Sequence, residues 1–192
     1  MSTTVCRATV DDAALLHELA AATFGLACPP GTTQPAIDDF VATVLSETSF
    51  AGYLADPARV LLIAEADGVP AGYTMLVFGE PTDPDVVAAI TVHPTVELSK
   101  VYVALGHHGA GIGPALMSAS LDMAGERASA VWLGVNQHNA RANRFYEKNG
   151  FVIVGTKRFL VGGKLEDDFV RERVLGPVDS APVRVRPRAS GP

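Results

Sequence analysis

The spacing of apolar positions changes period along the chain, and each change marks an element. Cys6 to Val10 alternates and reads as a short first strand. Thr9 or Asp11 caps a helix over about Ala13 to Phe24, with Leu15, Leu16, Leu19, Ala20 and Ala22 on its apolar side. Gly25 to Gln34 carries two prolines and two glycines and is a loop. Ile37, Phe40, Val41, Val44 and Leu45 then recur at helical spacing and predict a second helix from about Pro35 to Ser46. Phe50 to Asp56 predicts a short third one, stopped by Pro57.

Beyond Pro57 the pattern becomes that of strands. Val60 to Glu65 and Pro70 to Phe78 flank the turn signal Asp67-Gly68 and form a hairpin. Gly79 to Asp85 reads as a loop, and Ala89 to Val92 as a short irregular piece broken by His93-Pro94. Val96 to Val103 is a strand with Leu98, Val101 and Val103 apolar. A glycine-dense loop, Gly106 to Gly113, leads into a helix over about Ile112 to Arg127, and Ala130 to Val135 is apolar enough for a buried strand. Asn139 opens a further helix to about Asn149, which Gly150 ends as a left-handed cap. Phe151 to Lys157 and Asp168 to Arg173 are the last strands. Strands alternating with helices after an antiparallel hairpin describe an α/β (α+β) domain, with a mixed central sheet and helices on both faces. From Gly176 the chain turns to Pro, Ser, Arg and Ala, so residues 1–175 are expected to form the domain and 176–192 a flexible tail.

Composition narrows the function classes. A hydrophobic fraction of 48% in 192 residues suits one folded core. No apolar run has the roughly 18 residues of a membrane span. The N-terminal residues lack the basic start and apolar stretch of a signal peptide, so the expected location is the cytoplasm. The net charge of -6 argues against a nucleic-acid partner and is compatible with a cationic small substrate, as well as with plain solubility. Cys6 and Cys28 are too few for a disulfide framework, and no His, Asp, Glu or Cys group has metal-ligand spacing, so no metal is expected. Cys6 reads as a core residue, and Cys28 as one that lines a pocket.

The sharpest local signal is His108-Gly109-Ala110-Gly111-Ile112-Gly113, between a strand and a helix. Glycines at alternate positions let a backbone approach a ligand, and the unpaired N–H groups of a helix start bind phosphate. A P-loop would need Lys-Ser/Thr after the last glycine, whereas Pro114-Ala115 follows. A Rossmann fingerprint belongs after the first strand, not late in the chain.

The segment Val131-Trp132-Leu133-Gly134-Val135, with Asn139 through Tyr146 to Gly150-Phe151, resembles the second sequence block of the GNAT superfamily of N-acetyltransferases. Val101-Tyr102-Val103 followed by His108 to Gly113 is similar to the first block, and the two stand in the family's order. Glu97 to Val103, Trp132 to Val135 and Gly155 to Leu175 look most like its PaiA-like branch, which acts on polyamines and other small amines. His108 stands where the family has Arg or Gln. Pro114 removes one N–H from the helix start, a position that tolerates proline.

The resemblance implies a GNAT fold with splayed fourth and fifth strands. It also implies acetyl-CoA as co-substrate and direct attack by a primary amine in a ternary complex. Val101, Tyr102 and Val103 would pair with the pantetheine arm, the Val103 N–H polarising the thioester carbonyl. His108, Gly109, Ala110, Gly111, Ile112 and Gly113 would hold the pyrophosphate. Asn139 would contact the pantetheine, cap its helix, or both. Tyr146 is the expected acid for the departing thiolate, and Glu97 the expected base, through water. Tyr102 also has an acceptor-pocket or a core reading. The partner is expected to be a small-molecule amine, with no membrane or nucleic acid, and a homodimer is compatible. Alternatives are a peptide N-terminal acetyltransferase and a non-catalytic acyl-CoA sensor.

Overall fold

The structure is a computed structural model that describes residues 2–28, 31–107, 111–161, 164–176 and 186–187. Strands β1 (Thr3–Arg7), β2 (Arg59–Ala66), β3 (Val69–Phe78), β4 (Thr95–Val103), β5 (Ala130–Asn136), β6 (Val152–Val161), β7 (Lys164–Val174) and β8 (Arg186–Pro187) form one sheet. Their order is β6-β7-β5-β4-β3-β2-β1-β8. Neighbours are antiparallel except β4 with β5 and β1 with β8. Helices α1 (Ala13–Thr23), α2 (Gln34–Thr43), α3 (Glu47–Ala55), α4 (Pro84–Ala89), α5 (Ile112–Gly125) and α6 (Ala140–Lys148) cover both faces, as the alternating pattern predicts.

Two cores follow from strand alternation. On one face Leu62, Leu76, Val96, Leu98, Val131 and Leu133 pack against Ile112 and Leu116 of α5. On the other, Leu61, Ile63, Tyr73 and Met75 meet Leu16 of α1 and Phe50 of α3. A small third cluster places Val86 and Ile90 on Trp132 and Val170.

Several boundaries differ from the sequence expectation; α2 stops at Thr43 rather than about Ser46, and α3 starts at Glu47 rather than Phe50. The first strand is Thr3–Arg7 rather than Cys6 to Val10. The chain turns at Thr9, whose N–H donates to Asp12 Oδ2 at 2.8 Å, so Asp12 rather than Asp11 pairs with Thr9 in a capping box. The expected Gly79 to Asp85 loop ends early. Pro84 sits in the first turn of α4, and the Asp83 side chain accepts from the Asp85 N–H. The last hairpin is longer than Phe151 to Lys157 and Asp168 to Arg173, with β6 running to Val161 and β7 starting at Lys164. Of the expected tail, Arg186–Pro187 lies parallel to Cys6–Arg7. The rest from 177 on is outside the described residues, and among those described no helix is long and apolar enough to cross a membrane.

The feature that makes a site is the parting of β4 from β5. They pair only at Thr95–Ala130, Val96–Val131 and Glu97–Trp132, and then diverge. A register shift falls at the same place on the other edge of β4: Leu76 faces Leu98 and Met75 faces Lys100, leaving Ser99 as the extra residue of a bulge. The bulge resets alternation. Val101 and Val103 pack toward α5, while Lys100 and Tyr102 lie on the α1–α3 face.

Candidate active site

The gap between β4 and β5 opens into a cavity of about 440 Å³. Its walls bring together Glu97, Val101, Tyr102 and Val103 of β4, Gly113 of α5, and Asn139 and Tyr146 from the start and body of α6. Seven of the expected site residues therefore share one space. Ile112 does not join them: its side chain is fully buried against Gly72 and the core, so only its backbone can serve a ligand. Gly111 is the N-cap of α5 with φ +82°, a conformation that favours glycine. His108, Gly109 and Ala110 lie outside the described residues.

Tyr146 approaches from the α5–α6 side. Its ring packs edge-on against Phe145 and Phe151, at 5.6 and 5.9 Å between centroids. Burial pushes its hydroxyl up to about 12, so it holds its proton throughout the neutral range. Tyr102 comes from the other side, stacked on Tyr73 at 5.4 Å, and burial followed by the nearby Tyr146 and Cys28 pushes it up further. Both readings of Tyr102 hold, because the ring packs into the α1–α3 core and also lines the cavity. The Asn139 side chain accepts from the Ala142 N–H at 3.0 Å, which is a helix cap at the cavity wall. Cys28 also reaches the wall, with Sγ donating to the Phe24 carbonyl at 3.4 Å, and burial raises its thiol above the ordinary value. It is a protonated wall residue, not a nucleophile.

The fold also delivers here Lys100 and Lys157, which the sequence reading did not select, and Asp168, which with Asp167 read as a carboxylate facing a cationic substrate or as a turn carboxylate. Lys100 is half-buried, its ammonium 5.5 Å from the Tyr53 ring centroid, and makes no ion pair within 4 Å among the described residues. Burial lowers it to about 8, with Glu97 opposing the shift and Arg59 adding to it. A lysine with a lowered folded value binds fewer protons than the unfolded chain between about pH 8 and its ordinary value near 10.4, so stability rises with pH across that window. Lys100→Met is expected to stabilise the fold by ~1–3 kcal/mol below pH 8, with the advantage vanishing above about pH 10.4. Urea melts of both proteins at pH 7 and pH 10 check this, and an equal difference at the two pH values would refute it.

A second hollow of about 310 Å³ adjoins the first at Val103, Gly113 and Phe145. Arg141, Arg144 and Lys148 line it from one side of α6. This cationic wall at the start of α5 suits phosphate groups. Two buried polar atoms without partners among the described residues, His107 Nδ1 beside this hollow and Asn136 Nδ2 beside the cavity, are groups that a bound molecule could satisfy. The two hollows together offer a cationic wall and a narrow strand gap, features suited to a ligand with an anionic end and a slender arm.

Residues 23–151 match the acetyltransferase (GNAT) family model. The chain belongs to the GNAT family of acetyltransferases. An uncharacterized N-acetyltransferase of Mycobacterium tuberculosis is 46% identical over 165 residues, covering 85% of this chain and 98% of that protein. A streptothricin acetyltransferase of Streptomyces lavendulae is 34% identical over 107 residues, or 55% of this chain and 51% of that one. Among solved structures, a PaiA N-acetyltransferase of Thermoplasma acidophilum in complex with coenzyme A superposes with a TM-score of 0.71 at 18% identity, covering 91% and 99% of the two chains. This GNAT enzyme is thus an acetyl-CoA-dependent acyltransferase.

Its own residues divide the work by face. The α5–α6 side supplies a protonated phenol and cations. The α1–α3 side supplies carboxylates and an aromatic wall. Acetyl-CoA, when bound, brings the thioester that is to be attacked. Among the described residues no cluster of three His, Cys, Asp or Glu is placed to hold a metal ion.

Proposed function

We propose that this enzyme acetylates a primary amine of a small, polyamine-like molecule, by direct attack in a ternary complex in which Tyr146 is the acid. The observation that carries the reading is the two-sided cavity. Tyr146 faces the gap from the co-substrate side, and Glu97, the last β4 residue paired with β5, faces it from the other. An amine that enters from the α1–α3 side meets Glu97, Glu166 and Asp168, acids that favour an ammonium. The relative named as a streptothricin acetyltransferase supports a small-molecule acceptor. Phe24, Phe40, Val44 and Leu45 line the acceptor side of the cavity, an apolar wall that suits a small molecule. The resemblance alone would make Glu97 the receiver of the ammonium's proton, through water, and Glu97 lines the cavity.

The test is release of CoA thiol from acetyl-CoA with polyamines, amino acids, aminoglycosides and short peptides, each at fixed pH. Release with one class of small amine is the expected result. Release with peptides alone would replace the reading with a peptide acetyltransferase. Acetyl-CoA binding without release from any acceptor would favour a sensor.

A further inference from the structure

We propose that the proton of the acceptor's ammonium is received by Asp168, on β7, rather than by Glu97. The proposal rests on the N-acetyltransferase reading with a primary amine as acceptor. Asp168 lies opposite Asn136 of β5 and opposite Lys157 of β6. Val170, two residues on and therefore on the same face of β7, packs on Trp132, which puts Asp168 on the acceptor side of the sheet. Its Oδ2 lies 3.4 Å from the point where a side chain at Gly134 would begin. Gly134 is two residues past the last β5 residue paired with β4, so the carboxylate stands over the narrow end of the gap.

The bonding of Asp168 separates it from a structural carboxylate. Glu172, on the same face of the same strand and 3% exposed, accepts from the Thr91 N–H, the Thr91 hydroxyl and the Val92 N–H. Asp168 is 7% exposed and lines the cavity, and its carboxylate accepts no hydrogen bond from the described residues. The Lys157 Nζ lies 3.4 Å from the same Gly134 point, so the carboxylate has a cation near it. Burial raises it to about 6; the Lys157 ammonium works against that rise, and Glu166 and Asp167 add to it. Those three, with Glu97 across the gap and the uncharged Gly134 and Asn136 on β5, are the groups that face it. It is therefore mostly ionised at neutral pH and still basic enough to take a proton.

The step balances without another reactant. One N–H proton of the ammonium moves to Asp168 and leaves a neutral amine. The amine's lone pair forms the C–N bond at the thioester carbon, the C–S bond breaks, and the sulfur takes the Tyr146 proton. The nitrogen's surplus proton returns to the Tyr146 phenolate, and Asp168 loses its proton to solvent.

The experiment uses the acceptor found above and measures kcat/KM from pH 5 to 9 for wild type, Asp168→Asn, Glu97→Gln and Lys157→Met. The wild-type profile is expected to rise through about pH 6 to a plateau. Asp168→Asn is expected to lose about 10²-fold at pH 7 and to lose that limb, with acetyl-CoA affinity and Tm kept, since the amide has the shape of the carboxylate. Glu97→Gln is expected to keep the limb, and Lys157→Met to move it to higher pH. Asp168→Asn within about threefold of wild type with the limb intact, or a limb removed by Glu97→Gln, would overturn the assignment. A limb unmoved in Lys157→Met would do so even if Asp168→Asn failed to fold. Absence of transfer from acetyl-CoA to any amine by the wild type would overturn both this proposal and the reading beneath it.

Discussion

Tyr146→Phe is expected to lower kcat by about 10²–10³-fold with every acceptor while leaving acetyl-CoA affinity within about threefold. The substitution removes one oxygen and little else. The ring keeps its edge-on contacts with Phe145 and Phe151, and α6 keeps its Asn139 cap. It is also tied to the sheet by Arg171, whose guanidinium donates to Asn143 Oδ1 at 3.1 Å and to the Phe151 carbonyl at 3.1 Å. The loss would thus fall on the chemical step. A hydroxyl pushed up to about 12 stays protonated well past neutrality, so the wild-type kcat should stay level from about pH 7.5 to 10. Stopped-flow detection of CoA thiol in single turnovers separates this step from product release. A single-turnover rate unchanged in Tyr146→Phe would assign the proton to another donor.

Legibility of this fold and site follows the physics of each signal. The α5 and β5 segments are read well because long apolar periods and an apolar run leave few alternatives: Leu116 and Leu133 are almost wholly buried, as the pattern demands. Tyr146, Glu97 and Asn139 stand in motifs with fixed spacing, and the splay of two strands brings them to one cavity. Asp168 is a different case. Beside Asp167, in a polar stretch, it reads either as a carboxylate facing a cationic substrate or, by preference, as a turn carboxylate. Only the β5–β7 and β6–β7 ladders place it over Gly134 with Lys157 opposite, and ladder register is a tertiary property. Lys100 is hidden for a related reason. Strict alternation from Glu97 would put it on the α5 face, and the extra residue Ser99 turns it to the other.

Gly72→Val should be the most damaging single change to the scaffold, costing about 3 kcal/mol and lowering Tm by ~6–12 °C. Gly72 lies on β3 opposite Val103, beneath the first turn of α5. A Cβ there would stand 2.6 Å from the Tyr102 carbonyl oxygen, 3.2 Å from Leu116 Cδ1 and 3.3 Å from Ile112 Cγ2. The first of these is backbone held in the β3–β4 ladder, so it yields only if pairing breaks. The other two belong to fully buried side chains of α5, so they yield only if the helix lifts from the sheet. Either movement displaces the wall from Tyr102 to Val103 or the helix start that carries Gly113, and both border the co-substrate hollows. Acetyl-CoA affinity should therefore fall by about tenfold in the fraction that remains folded. Gly52 of α3 is the control, since nothing lies within 4 Å of its added Cβ, and Gly52→Ala should be neutral or stabilise by up to about 1 kcal/mol. Calorimetric melts and acetyl-CoA titrations of the two variants check the pair. Equal Tm values would mean that the sheet opens at Gly72 without cost. A lowered Tm with unchanged affinity would mean that the first turn of α5 holds its place independently of β3.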